Sequence, residues 1–319
     1  IFFRGFIMDH PSTVIAKDGL QLTIYLPDAQ KGFYRSVRFD WSGMIAKAEY
    51  NGHTYFGPWR TPHDPEIYEN GIGPAEEFGL EEDPPLFADA AEGETFVKIG
   101  VGLLKKTTEK YDFRTHFPIV EAGTWAVREA AGCIEFEQSL TYNGVGYRYV
   151  KRIEISAERK GTFTVAHSLQ NTGSLTLKTS HYNHAFIRID DKPIGSDYEV
   201  HLPFDSGEHA ITIEHGGYGG VQNKVIKFLK QVDPGVRLWT PLNNWCSSKV
   251  AHSQFAVVNR AADAGIKMSL DKPPTTFNFY AEVTAACPEP FIPIELSPGE
   301  KMEWTNTWTM GSVAEVLAK

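Results

Sequence analysis

His181, Asn183 and His184 fall together in SLTLKTSHYNHAFIRIDD, residues 174–191, where an alternating run breaks into polar residues and then resumes apolar. Imidazoles carry protons near neutral pH and bind metals. A spacing of three would set His181 and His184 on one face of a helix. On a strand they lie on opposite faces, and no third ligand follows at a usual metal spacing. The structural alternative is that both histidines cap a sheet end and hydrogen-bond to backbone. About 100 residues later, TFNFYAEV places Glu282 after Asn278 and Tyr280 on the polar side of an otherwise apolar strand. A partly desolvated carboxylate at such a strand end can act as a general base. It can equally be a solvated glutamate at a sheet edge. An imidazole and a carboxylate together are the pair that moves one proton on and another off.

Other residue types in reach of chemistry are less decisive. Glu76 and Glu77 in AEEF lie between Gly73 and Gly79. Adjacent carboxylates repel, so they need a cation, a hydrogen-bond network or exposure. Arg35, Arg38 and Asp40 in FYRSVRFDWSG alternate as on a strand, where Arg and Asp can pair or Arg can bind sugar hydroxyls. HGGYGG, residues 215–220, lacks the Lys-Ser/Thr of a phosphate loop and reads as a turn. No Gly-x-Ser-x-Gly occurs, and none of Cys133, Cys246 and Cys287 has a nucleophile's local signature.

The elements that must position these groups read as strands throughout. In EWTNTWTM, Trp304, Asn306, Trp308 and Met310 share one face, as do Phe277, Phe279 and Ala281 in TFNFYAEV. Ile266, Met268 and Leu270 alternate likewise, as do Ile211 and Ile213. Residues 133–173 predict three successive strands with turns at Asn143-Gly144 and Lys160-Gly161. Further turns are marked at Asp18-Gly19, Asn51-Gly52 and Pro298-Gly299. Helical periodicity is confined to the tail, GSVAEVLAK, and one turn at DPEIYENG. At least a dozen strands without a composition shift or linker predict an all-β fold, one large antiparallel β-sandwich spanning 1–319. Residues 57–95 depart from this pattern, being rich in Pro, Gly and acidic residues and carrying Trp59, Tyr68, Phe78 and Phe87. They read as a long acidic, aromatic functional loop.

Composition narrows the partners. The 319 residues are 42% hydrophobic and carry a formal charge of −9, with no Lys/Arg cluster to track phosphates, so nucleic acid is excluded as a partner. No apolar run approaches the roughly 20 residues of a membrane span. The apolar start, IFFRGFIMDHP, is too short and interrupted for a signal peptide; it reads as a processing remnant, an expression tail or an edge strand. An odd number of cysteines without CxxC spacing, and no N-glycosylation sequon, point to free thiols and a cytoplasmic protein.

Three features in order resemble the aldose 1-epimerase (galactose mutarotase) superfamily: Asn183-His184 before Phe186, Glu282 with Pro288 behind it, and the turn Leu296, Pro298, Gly299, Glu300 leading into a Thr- and aromatic-rich last strand. The resemblance implies a large antiparallel β-supersandwich and a small-molecule sugar or sugar derivative as partner. It assigns His184 to protonate the ring oxygen and Glu282 to deprotonate the anomeric hydroxyl, with no cofactor. The family's Asn-Arg-Ile and Leu-His-Gly-Gly segments are missing; GIGPAEEFG stands in that region, so Glu76 or Glu77 takes the place of an imidazole. His181, Asn183, Glu76, Glu77, Arg38, Arg60 and Trp59 are then the substrate-binding candidates, with Trp59, Tyr182 and Phe78 to stack on sugar faces, and no metal site. A carboxylate in the loop favours a neutral sugar unless Arg35, Arg38 or Arg60 reaches the same pocket. A lyase or hydrolase acting on a modified sugar, and a non-catalytic sugar-binding protein, are the rival readings of the same features.

Overall fold

Asn-Gly and Asp-Gly pairs close the hairpins. Asn143 and Gly144 have φ of 44° and 83°, and Asp18 and Gly19 have 48° and 84°. That pairing of positive φ values matches the twist of two-residue hairpins. The computed structural model describes residues 10–211 and 217–318. Ile213, His215, Gly216 and the apolar residues 1–9 lie outside them. The described strands form four antiparallel sheets of 11, 5, 4 and 3 strands. Among the described residues, helix is limited to two short 3-10 turns and Val313–Leu317, whose Ser312 and Glu315 form a capping box.

The 11-stranded sheet runs from Glu208–Ala210 at one edge to Trp125–Ala130 at the other, with Val145–Ile155, Thr162–Asn171 and Lys301–Gly311 among its central strands. Its inner face carries Trp304, Trp308 and Ile266, as alternation predicts, together with Phe163 and Val165, all buried. The 5-stranded sheet has the order Leu238–Pro241, Thr276–Glu282, Ala285–Leu296, Leu177–Ala185, Pro74–Phe78. One of its faces packs on the large sheet, where Phe78 meets Tyr149 and Trp304 edge-on. A second apolar cluster, including Phe39, Trp59, Phe96, Phe117, Phe186 and Cys287, covers its other face. The 5-stranded sheet is therefore buried on both sides, and Pro74–Phe78 and residues 285–292 are buried at every position.

Two sequence expectations change. Residues 57–95 are not one loop. A bridge between Pro58 and Ile72 ties off a first loop, and Pro74–Phe78 then enters the sheet as an edge strand beside Leu177–Ala185. Alternation fails to mark this strand because both its faces are buried, so polar and apolar positions do not separate by solvent. Residues 35–40 form bends rather than a strand, with backbone bonds to three different segments: Arg35 N–H to Pro65, Asp40 N–H to Glu76 and Trp41 N–H to Gly100.

Gly73 leads into the edge strand with φ of 67°, and a Cβ there would meet the Ile45 carbonyl oxygen at 2.2 Å. Gly52 has φ of 84° with nothing within 4 Å of its Cβ position. Left-handed backbone costs an L-residue about 1–2 kcal/mol. Gly52→Ala should lose about that much in urea unfolding, and Gly73→Ala clearly more, because its clash is with backbone.

Candidate active site

Parity along strand Leu177–Ala185 divides the candidate residues. Successive side chains point to opposite faces, so Tyr182 and His184 project to the covered outer face while His181 and Asn183 project between the two large sheets. The neighbouring edge strand pairs Glu77 with Tyr182 and Glu76 with Asn183, and divides in the same way. On the other side, Ala285–Leu296 pairs with Leu177–Ala185 from Leu177–Leu296 to Tyr182–Phe291. The same register returns at the Ile187–Ala286 bridge, where the Ala286 N–H donates to the Ile187 carbonyl. Between these points stand Pro288 and Pro290, on the parity that faces this neighbour and without N–H groups to give. The ladder is interrupted there, and its register places Glu289 opposite His184.

The result is an imidazole and a carboxyl side by side under an aromatic cover. His184 Nε2 lies 3.4 Å from Glu289 Oε1. The two residues are only 3% and 5% exposed. The His184 ring stacks on Phe186 at 4.4 Å, and Trp59 and Tyr280 flank it at 5.0 and 5.2 Å. Neither His184 Nδ1 nor Glu289 Oε1 has a hydrogen-bond partner within the protein. Burial first, then the Arg38 and Arg60 charges, hold His184 well below the usual imidazole range. Burial pushes Glu289 up to about 8, against the pull of Arg38. At neutral pH the pair thus carries one proton, on Glu289, beside a neutral imidazole.

Glu282 lies on the same face but is engaged elsewhere. It accepts from Arg60 Nη1 at 2.5 Å and Nη2 at 2.8 Å, from the Trp59 indole at 3.2 Å and from the Tyr280 hydroxyl, with Arg237 Nε at 3.6 Å. Arg60 and Arg237 also share Glu69, at 2.9 and 2.8 Å. Because Trp59 and Tyr280 touch both Glu282 and His184, the two predicted catalytic residues share one site. Their link runs through those aromatics. Glu282 fastens the 57–72 loop, and with it Trp59 and Arg60, over the histidine.

Glu77 is also on this face. It accepts from Arg38 Nε at 2.8 Å and the Tyr182 hydroxyl at 2.7 Å, with Lys98 Nζ at 3.5 Å. Arg38 and Lys98 surround its charge, which meets the exception to a neutral-sugar preference. Tyr182 is stacked on Phe291 at 4.1 Å. Glu76, His181, Asn183 and Phe78 face the opposite way, into the inter-sheet core, and are not brought to His184. Arg35 pairs with exposed Glu66 instead. In that core Glu76 meets Lys151 at 2.6 Å and His167 at 3.0 Å. Burial raises its pKa, but His167 and Lys151 prevail and hold it well below the usual carboxylate range. Among the described residues, Glu76, His167 and His181 are the group of ligand-type side chains close enough to hold a metal.

Among solved structures, this architecture matches a galactose mutarotase-like protein from Lactobacillus casei, with a TM-score of 0.56 and 10% identity over 94% of this chain and 100% of that one. The GalM/aldose epimerase homologue from C. elegans matches at 0.56 and 13% identity, over 95% and 99% of the two chains. A galactose mutarotase related enzyme from Lactobacillus acidophilus matches at 0.55 and 8% identity, over 97% and 100%. The chain has the galactose mutarotase-like fold. No family model and no curated protein matches its sequence. At these identities the likeness is one of fold.

Within the galactose mutarotase-like fold of this chain, Glu289 is the site residue that sequence reasoning missed. Its signal was present: it is the lone charged residue in the run AACPEPFIPI. A carboxyl inside a run buried on both faces is costly unless neutral or paired. Glu69, Tyr280 and Arg237 left no comparable mark. Arg60→Met should lower stability to urea by about 3 kcal/mol, near the low end for breaking a buried pair because Arg60 is 24% exposed. In the Arg60→Met/Glu282→Gln double variant the losses should sum to less than the two singles.

Proposed function

We propose that the chain is a carbohydrate-active enzyme that interconverts sugar anomers, as an aldose 1-epimerase does, with His184 and Glu289 as the proton-transfer pair. The observation that carries this is the side-by-side imidazole and carboxyl, each with an uncommitted atom, on the covered face of this fold. Glu282, the carboxylate expected from sequence to be the base, takes the role of a positioning residue because its oxygens are already engaged by Arg60, Trp59 and Tyr280.

Anomer exchange asks for one proton taken from O1 and one delivered to O5. Neutral His184 accepts the O1 proton while protonated Glu289 gives its proton to O5. The C1–O5 bond opens to the aldehyde, C1–C2 rotates, and closure on the other face reverses the two transfers. No net proton is gained or lost, which suits a pair that starts with one. Trp59, held at Glu282, packs beside His184 where the apolar face of a sugar ring would lie. The aromatic cover keeps water from the pair and strengthens its electrostatics. Sugar entry requires Trp59 and Arg60 to move aside.

Optical rotation of anomerically pure hexoses, neutral and 6-phosphorylated, tests the reading. Glu289→Gln and His184→Asn should each slow the exchange by about 10²–10⁴-fold, and Glu282→Gln by less. If Glu282→Gln abolishes turnover while Glu289→Gln spares it, Glu282 is the base. Binding without turnover would indicate a sugar-binding module, and a new ultraviolet-absorbing double bond would indicate a lyase.

The kcat/KM of the wild type should be level up to pH about 8 and fall above it, as Glu289 loses its proton. Stability carries the same signature. Glu289 keeps its proton to about 8 when folded but only to about 4.3 when unfolded. Its contribution to stability is thus complete below the lower value and is lost as pH rises through the window between them. Glu289→Gln should remove that slope from the urea-unfolding profile.

A further inference from the structure

We propose that Glu76, His167 and His181 form a binding site for a divalent transition-metal ion of the zinc class, enclosed between the two large sheets. It is separate from the His184 pair, because His181 leaves the same strand on the opposite face. The three side chains come from strands Pro74–Phe78, Thr162–Asn171 and Leu177–Ala185. Their ligand atoms all lie within 4.8 Å of one another. Exposures of 1%, 3% and 2% put all three out of reach of solvent. Two imidazoles and a carboxylate are a donor set that suits zinc.

Hydrogen bonds from around the cluster orient its side chains, and one buried imidazole nitrogen within it is left without a partner. The Tyr149 hydroxyl donates to Asp40 Oδ2 at 3.1 Å. Having one proton, Tyr149 must then accept from His167 Nδ1, 3.1 Å away. With that bond made at Nδ1, His167 turns its Nε2 to Glu76 Oε1, 3.0 Å away. Atoms that close share a cation between them, either a proton or a metal ion. His181 Nε2 has no partner in the protein, nor does Asn183 Oδ1. Asn183 Nδ2 and Asn306 Nδ2 both donate to Glu76 Oε1, at 3.0 and 3.2 Å.

Asp40 and Glu76 face one ammonium, Lys151, 3.4 Å from the first and 2.6 Å from the second. A proton shared by His167 and Glu76 leaves His181 Nε2 without a partner. One metal ion engages all three ligand atoms. Lys151 holds the far oxygen, Oε2, so that Oε1 is the one turned to the imidazoles. Tyr149 and Asp40 orient His167 from behind, as outer groups do for metal-bound histidines. Rings of Phe78 and Trp304 pack on His181 at 4.8 and 4.9 Å and close the site. A closed site of this kind is structural: it joins the two sheets.

The test uses the full chain without an affinity tag. Elemental analysis of the purified protein should find about one zinc per chain. Protein unfolded, stripped with chelator and refolded with Co2+ should show the visible bands of the bound ion and melt at higher temperature than protein refolded without metal. His181→Gln should weaken Co2+ binding by at least about 100-fold, whereas His252→Gln, outside the cluster, should not. If the His181 variant does not fold, the wild-type metal content and cobalt spectrum decide the matter alone. A metal-free protein that gives no cobalt bands on refolding overturns the proposal. So does a nitrogen-15 spectrum showing His167 as imidazolium with no metal bound.

Discussion

Glu76 and Glu77 leave one short strand in opposite directions, each into a layer from which water is excluded. Taking a carboxylate out of water costs several kcal/mol even after the protein relaxes. Each must therefore find its counter-charge inside the fold, and much of the structure follows from where those charges come from. Glu77 draws Arg38 from the bends of residues 35–40 and Lys98 from the small sheet. Glu76 draws Lys151 from the centre of the large sheet. Both layers over the 5-stranded sheet are thus fixed by electrostatics as well as by apolar packing.

The proline-interrupted ladder is the second determinant. Ordinary pairing through residues 183–186 would commit the backbone of both strands. Pro288 and Pro290 prevent it on the side that matters, and the adjoining side chains, His184 and Glu289, occupy the break. Nearby, Glu282 is anchored by Arg60 and Trp59. Two carboxyl groups on one sheet face thereby receive different tasks. One is ion-paired and holds a loop in place; the other is desolvated without a paired cation and keeps its proton. Environment, rather than residue type, assigns the roles.

A fold shared with galactose mutarotase-like proteins at about 10% identity does not carry a reaction with it, since such scaffolds host many chemistries. The functional reading therefore rests on the pair and its cover. The inter-sheet cluster gives the same strand a second proposed role on its inner face, apart from the pair on its outer one. Period-two geometry makes that division possible within residues 181–184.

The hairpins, the Ile266–Leu270 and Trp304–Met310 faces and the all-β class were legible in the chain, because turn chemistry and alternation are local and report one solvated face. His184 was legible too, as an imidazole at a strand end. Glu289 left only the mark of a lone charge in an apolar run, because a carboxyl's partners come from residues far away in sequence. The strand at Pro74–Phe78 read as loop because burial on both faces erases alternation. The division of His181 from His184 was legible as well, because a strand sends residues three apart to opposite faces. Local pattern determined which segments are strands; only tertiary structure decided which face each polar group meets, because desolvation and counter-charge are properties of the packed layers.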